Sequence, residues 1–373
     1  MEQLLKWMEI IEDIRQQAKV RHCLKDILVI VLFATLANAD TWEEIEDFAR
    51  SNEEYLKKYL ELKNGIPSHD TIQRAMGMIR TEQLQKLHLK WQELLDSNEG
   101  ELIKKIICID GKTMRSNKRG KQKPSHIVSA WSREDGYCLG QKAVSEKSNE
   151  ITAIPQVLEA IEIKGQVVTI DAMGTQTAIA EKIRERRADY VLALKGNQGN
   201  LYEDVKLFLM DEEEKEKIRK TGNYYKSVEK AHGQIEKREY YQTGETGWLS
   251  QKKEWKGLKS IGMEEKTIIK DGKEEKEYRY YISSLKEDIG LFSRAVRGHW
   301  AVESMHWQLD VTFREDANHT LDKTAAQNQN IIRKWCLSIL KLLQIGGKKM
   351  SLQRKRFNIG MNPIKYIEEI LSF

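Results

Sequence analysis

The sequence contains no internal repeat, no low-complexity tract and no large excess of one charge. Its 373 residues carry 62 basic and 57 acidic side chains, a formal net charge of +5, so local clustering must decide what the charge means. Cysteine is scarce. Cys23, Cys108, Cys138 and Cys336 are far apart and form no Cys-x-x-Cys pair, so they read as buried free thiols of a reducing, cytoplasmic compartment. Long apolar runs are also missing. Ile27 to Leu36 is about ten residues, too short to span a bilayer and too far from the N-terminus for a signal peptide, which excludes a membrane partner. No His-Glu-x-x-His is present, so a zinc protease of that type is excluded. What remains, at 40% hydrophobic and 32% charged residues, is a globular composition long enough for two or three domains.

The densest chemistry lies between Arg297 and Asp316. At 3.6 residues per turn His299, Glu303, His306 and Asp310 stack along one side of a helix, with Trp300, Trp307 and Val311 on another. An amphipathic helix with satisfied polar residues and two core tryptophans explains such a stripe without any function. A carboxylate flanked one turn away on each side by His also suits a site, because burial beside Trp rings penalises an unpartnered charge. Glu303-x-x-His306 matches a di-iron motif. Its second copy, Glu229 to His232, runs into Gly233 among strand-like neighbours, so that reading fails on context.

Residues 1 to about 95 are helix-rich. Apolar spacing predicts helices over Leu4 to Ile14, Leu24 to Leu36 and Asn52 to Leu60, with one between them capped by Asp40 or Thr41. Gly65 and Pro67 then break the chain before Ser68 caps a helix carrying Gln73 and Arg74. This is the outline of a helix-turn-helix and equally of an ordinary helical hairpin.

From Leu102 the texture becomes α/β. An apolar run ends in Asp110, followed by a basic loop with Lys112, Arg115, Lys118, Arg119, Lys121 and Lys123. Two strand-like runs follow around a Glu134-Asp135-Gly136 turn, then a helix from Glu150. A second apolar run ends in Asp171, and a third, Tyr190 to Leu194, ends at Lys195. In an open mixed sheet neighbouring strands present their ends together, which lets Asp110 and Asp171 converge. Taken singly, either Asp reads as a strand-end turn residue. Leu201 to Lys220 predicts one charged helix, and about 222–285 alternates in period two, with Asp271-Gly272 as a hairpin tip. A helix from Lys323 to Leu343 precedes a basic C-terminal tail, 346–373.

These residues together resemble the DDE transposases of bacterial insertion sequences, specifically the ISAs1 group, or H-repeat-associated proteins. The carriers are Gly65-Ile-Pro-Ser-His-Asp-Thr71, Ile109-Asp-Gly-Lys112, Ile170-Asp-Ala172 with Gln176, Tyr190-Val-Leu-Ala-Leu-Lys195 with Asn197-Gln198, His232-Gly233, and His299-Trp300 through Asp316. The resemblance implies an RNase H-like catalytic domain over 101–345, a mixed sheet flanked by helices, interrupted by an antiparallel β-rich insertion. It also implies an all-helical N-terminal domain, 1–95, that binds DNA ends, and a catalytic triad of Asp110, Asp171 and Glu303. Such a triad implies two Mg²⁺ ions, with Mn²⁺ as substitute, because hard cations prefer carboxylate oxygens and a metal pair can activate a nucleophile and stabilise a leaving oxygen.

The implied substrate is double-stranded DNA, as terminal inverted repeats and target, handled by a homodimer or higher oligomer. The basic loop and the basic tail would hold phosphates and the N-terminal helices would recognise sequence. Lys195 reads equally as a DNA contact or an exposed loop lysine. One departure stands out: related families carry Tyr, Arg and Lys around the catalytic Glu, with Lys seven residues after it, whereas position 310 here is Asp. His299, His306 and Arg314 are the candidates for the missing contacts. Two other readings stay open: a catalytically inactive DNA-binding protein with the same fold, and an RNase H-like nuclease without strand transfer.

Overall fold

The computed structural model describes residues 6–95, 104–115, 117–118, 123–144, 149–231, 233–345 and 349–371. Arg119, Lys121 and His232 lie outside the described residues.

A nine-stranded sheet runs through the molecule in the order β3-β2-β1-β4-β5-β9-β8-β7-β6. Strands β1 (Ile106–Thr113), β2 (His126–Ser132) and β3 (Tyr137–Ala143) form an antiparallel meander, turned at Gly136. β4 (Val167–Ile170) and β5 (Asp189–Leu194) join β1 in parallel. This is the RNase H-like mixed sheet that the resemblance implies.

The period-two segment forms β6 (Tyr224–Ala231), β7 (Gln234–Thr243), β8 (Ser260–Lys270) and β9 (Lys273–Ser283). Asp271 and Gly272 both have positive φ, as a two-residue hairpin requires. β9 pairs antiparallel with β5, Leu192 opposite Ile282, so the insertion extends the same sheet.

In the N-terminal part α1 (Leu24–Leu36), α2 (Trp42–Ser51), the short α3 (Glu53–Leu56), α4 (His69–Met78) and α5 (Thr81–Leu95) follow one another. Thr41, not Asp40, caps α2: its side chain accepts from Glu44 N while Glu44 Oε2 accepts from Thr41 N at 3.0 Å. Ser68 caps α4 as expected.

Helices α6 (Glu150–Ala160), α7 (Thr177–Glu185), α8 (Asn200–Met210) and α9 (Glu212–Lys220) succeed the meander and β4, β5. The single charged helix expected over 201–220 is broken at Asp211, which caps α9 by accepting from Glu213 N and Glu214 N. Then come α10 (Ile289–Val311), α11 (Lys323–Leu342), α12 (Leu352–Met361) and α13 (Pro363–Leu371).

Alternation along β1 sorts the two faces. Ile107 and Ile109 point into a core with α6 and α7, while Ile106 and Cys108 point into a second core shared by α10, α11 and the N-terminal helices. α11 packs against α1, α4 and α5, which builds the N-terminal helices onto the same body as the sheet. No helix among the described residues is long and apolar enough to cross a membrane.

Candidate active site

Register brings the two aspartates together. Ile109 lies opposite Ile170 in the parallel β1–β4 pair, so the next residues, Asp110 and Asp171, emerge side by side. By the same alternation Asp110 points to the face of Cys108, the face crossed by α10. α10 approaches closely there because residue 298 is glycine. A Cβ at Gly298 would lie 2.6 Å from the Arg133 side chain and 3.3 Å from Ile106, and Cys108 Sγ donates to Gly298 O at 3.1 Å. The next residue, His299, contacts Thr169 Oγ1 through Nδ1 at 3.1 Å, and two turns on His306 Nδ1 lies 3.4 Å from Asp110 Oδ2. Glu303 stands between these two anchors, so seating the helix on β1 and β4 brings it to the cavity that the two aspartates line.

Asp110, Asp171 and Glu303 line one cavity of about 410 Å³, together with His299, Trp300 and Lys195. Burial raises the Asp110 carboxyl, but the hydrogen bond and charge of His306 and the charge of His299 outweigh it and hold the group below its ordinary value. Partial burial, and after it the charge of Asp110, push Glu303 above its ordinary value; Asp171 adds to the same effect. Burial holds the His299 imidazole below its usual range. The site is thus a set of mutually repelling carboxylates.

The turn after Asp171 is held by residues that the resemblance singled out. Asp171 Oδ1 accepts from Met173 N at 3.1 Å and Gly174 N at 3.0 Å. Asn197 Nδ2 and Gln198 Nε2 both donate to Ala172 O at 2.8 Å, while Gln176 Nε2 donates to Met173 O. The segment after β5 therefore braces the strand end that carries Asp171.

Other expected site residues are placed elsewhere. Lys112 is partly buried among three carboxylates, Asp310 at 2.7 Å, Asp316 at 3.1 Å and Glu315 at 3.2 Å. Arg314, in a left-handed conformation, pairs with Asp40 at 2.9 Å and Glu44 at 2.8 Å. Arg115 and Lys118 are exposed beyond β1, Arg115 with its Nε 3.5 Å from Asp316. Gln73 and Arg74 sit on α4, Gln73 half-buried and Arg74 exposed, and neither lines this cavity. In the tail Arg356 is fully buried, donating to Thr35 O and pairing with Asp40 at 2.6 Å, and Lys355 caps the end of α11 through Leu340 O and Leu343 O.

The aromatic face of α10 is not its core face. Trp307 is 58% exposed, and the helix buries Phe292, Val296, Val302, Met305 and Leu309 instead. Trp300 has another partner. Arg279 of β9 lies over its ring at 4.5 Å and is held by Glu277 at 2.8 Å, and both Glu277 and Arg279 line the cavity. Nothing local to Arg279 signals this, because the β9–β5 pairing is what brings the insertion to the strands of Asp110 and Asp171.

Two families of known proteins match the chain. The family described as "Transposase DDE domain" matches residues 101–339, and the one described as "DDE_Tnp_1-associated" matches 5–92. The chain belongs to the DDE transposases. The Escherichia coli O157:H7 protein named "Putative transposase YncI" is 41% identical over 383 positions, covering 99% of this chain and 94% of that protein. The Escherichia coli K12 protein named "H repeat-associated putative transposase YhhI" is 37% identical over 384 positions, covering 100% of this chain and 98% of its own. A K12 relative named "Inactive transposase YbfQ" is 42% identical over 77 positions, 21% of this chain and 92% of its own.

Proposed function

We propose that this transposase cuts phosphodiester bonds at the ends of an insertion sequence and joins the resulting 3′-hydroxyls to target DNA, using divalent metal ions held by Asp110, Asp171 and Glu303. The observation that carries this reading is the convergence of three carboxylates, from β1, β4 and α10, on one cavity, with Glu303 raised by burial and then by the charge of Asp110. Among the described residues no three His, Cys, Asp or Glu side chains are close enough together to share one ion. The donor chemistry nevertheless suits Mg²⁺ or Mn²⁺: the carboxylates are hard oxygen ligands whose mutual repulsion a cation would relieve. When bound, a pair of such ions supplies activation of the attacking hydroxyl and stabilisation of the leaving oxygen.

The chain's own residues do the rest. His306 orients the Asp110 carboxylate, the Met173 and Gly174 amides orient Asp171, and His299 fixes α10 on β4. An anionic substrate entering a carboxylate-lined cavity needs cations in the wall. Lys195 and Arg279 line it and are placed to meet the phosphates on either side of the scissile bond.

The test uses a labelled duplex carrying the inverted repeat that flanks this reading frame. Mn²⁺-dependent nicking with joined products is the expected result. Binding without nicking would favour the inactive DNA-binding reading, to which the name of the YbfQ relative lends some support. Nicking without joined products would favour a nuclease.

A further inference from the structure

β1 outruns β4. Ile109 is the last residue of β1 with a partner on β4, Ile170, so among the described residues Asp110, Gly111, Lys112 and Thr113 are held in the sheet by β2 alone. Asp110 thus stands where one ladder edge falls open. A side chain that must be placed to within about half an ångström then needs support from the two faces of the strand. On the α10 face His306 lies against Asp110, and Lys112 is paired with Asp310. The opposite face is filled by a pair that the proposed chemistry does not use. His126 of β2 and Glu150, the first residue of α6, meet at 2.6 Å between Nε2 and Oε1. His126 Nδ1 lies 2.8 Å from Oγ1 of Thr113, its partner across the β1–β2 ladder, so both ring nitrogens are engaged. The pair rests directly on Gly111, where a Cβ would overlap the Glu150 carboxylate and the His126 ring. Only glycine after Asp110 leaves room for it.

We propose that His126 and Glu150 are positioning residues for the reaction, a wedge between α6 and the open end of β1 that fixes the backbone at Gly111 and through it the direction of the Asp110 carboxylate. The proposal rests on the transposase reading and adds to it two residues outside the catalytic cavity. His126 and Glu150 line a separate cavity of about 510 Å³, and no residue of its wall lines the one that holds Asp110, Asp171 and Glu303. They therefore act through β1 and not on the reacting atoms. The wedge has a fixed base, because Asn149 caps α6 by accepting from Thr152 N and so sets where Glu150 starts.

Full-length wild type, Glu150→Gln, Glu150→Ala, His126→Ala and the double Ala variant are compared for Mn²⁺-dependent nicking of the terminal repeat and for unfolding temperature with and without Mn²⁺. A misplacement of about 1 Å costs up to roughly a hundredfold in rate, so each single Ala variant is expected to nick about 10- to 100-fold more slowly at saturating DNA. The DNA concentration for half-maximal rate is expected to stay as in wild type. Without Mn²⁺ the unfolding temperature is expected to change little, because a partly exposed ion pair contributes little stability, but the rise produced by Mn²⁺ is expected to shrink. The double Ala variant is expected to be no slower than the slower single one, since the two side chains work as a unit. Glu150→Gln fills the same space, can still hydrogen-bond His126, and is expected to keep most of the rate. Ala variants that unfold earlier yet keep the wild-type maximal rate and the full Mn²⁺ gain would make the pair merely structural and overturn the proposal, as would losses that multiply in the double variant. Wild-type protein that does not nick would instead contradict the transposase reading, and the proposal with it.

Discussion

Lys112 Nζ lies 2.7 Å from Asp310 Oδ1, an ion pair that fastens the strand of Asp110 to the helix of Glu303. Position 310, seven residues after Glu303, is an aspartate, and the cation that meets it stands on β1. Around it Glu315, buried, also accepts from Asn330 at 2.8 Å and pairs with the buried Arg333 at 3.4 Å.

Lys112→Ala is accordingly expected to destabilise the protein by roughly 3 kcal/mol, the scale of leaving buried charges without their partner. Urea unfolding measures this. A variant of wild-type stability but weakened DNA affinity would make Lys112 a phosphate contact instead, as the basic run around it suggested.

Asp110→Asn and Asp171→Asn keep side-chain size and remove charge. Each is expected to lower nicking by at least about a hundredfold, the order seen when one preorganised electrostatic group is lost from a site. Repeat binding without metal is expected to persist. Gel-shift and nicking assays on one preparation check both halves, and wild-type cleavage by either variant would remove the proposed metal site.

Arg279→Ala is expected to raise the DNA concentration needed for half-maximal nicking by about 10- to 100-fold, the equivalent of one charge-assisted hydrogen bond, at little cost in maximal rate. Arg279→Lys keeps the charge but loses the flat contact with Trp300 and is expected to fall between. A purely structural role would lower the unfolding temperature of both variants and leave the DNA dependence unchanged.

Glu46 tests how α4 is anchored. It accepts from His69 N and from Arg50, and its ring contact with His69 is 2.8 Å; together these hold its carboxyl down to about 2. A depressed carboxylate stabilises the fold fully above its ordinary value of 4.5, and that stability is lost as pH falls toward 2. His69 is raised above 6.5, chiefly by Glu46, so its share is present below that pH and is lost as pH rises through the folded value. Glu46→Gln is therefore expected to lower the unfolding temperature most near pH 5 to 6, with the difference from wild type closing near pH 2. A difference that does not vary with pH would contradict the anchor.

The parts of the site legible in the sequence are those written in local pattern. Apolar runs ending at Asp110 and Asp171 are strands because their residues are buried on both faces, and parallel register does the rest. His299, Glu303 and His306 share a helix face that periodicity exposes. Ser68 announces α4 because a cap is a nearest-neighbour interaction. What stayed hidden depends on partners far along the chain. Lys112 belongs to a basic run in sequence, yet its carboxylates come from 310–316. Arg356 reads as tail charge until α12 carries it beneath α1 to Thr35 and Asp40. Arg279 reaches the cavity only because β9 adds to β5, and strand alternation alone does not say which sheet a strand joins.

The central claim is that Glu303 is a functional carboxylate of the site, not a structural partner of its neighbouring histidines. The most direct measurement pairs Mn²⁺-dependent nicking of the terminal repeat with unfolding temperature, with and without Mn²⁺, for wild type and Glu303→Gln. Since the neighbouring aspartates repel Glu303, the variant is expected to unfold at or slightly above the wild-type temperature, to gain less from Mn²⁺, and to nick at least about a hundredfold more slowly. A Glu303→Gln protein that nicks at the wild-type rate and unfolds at a lower temperature would contradict the account.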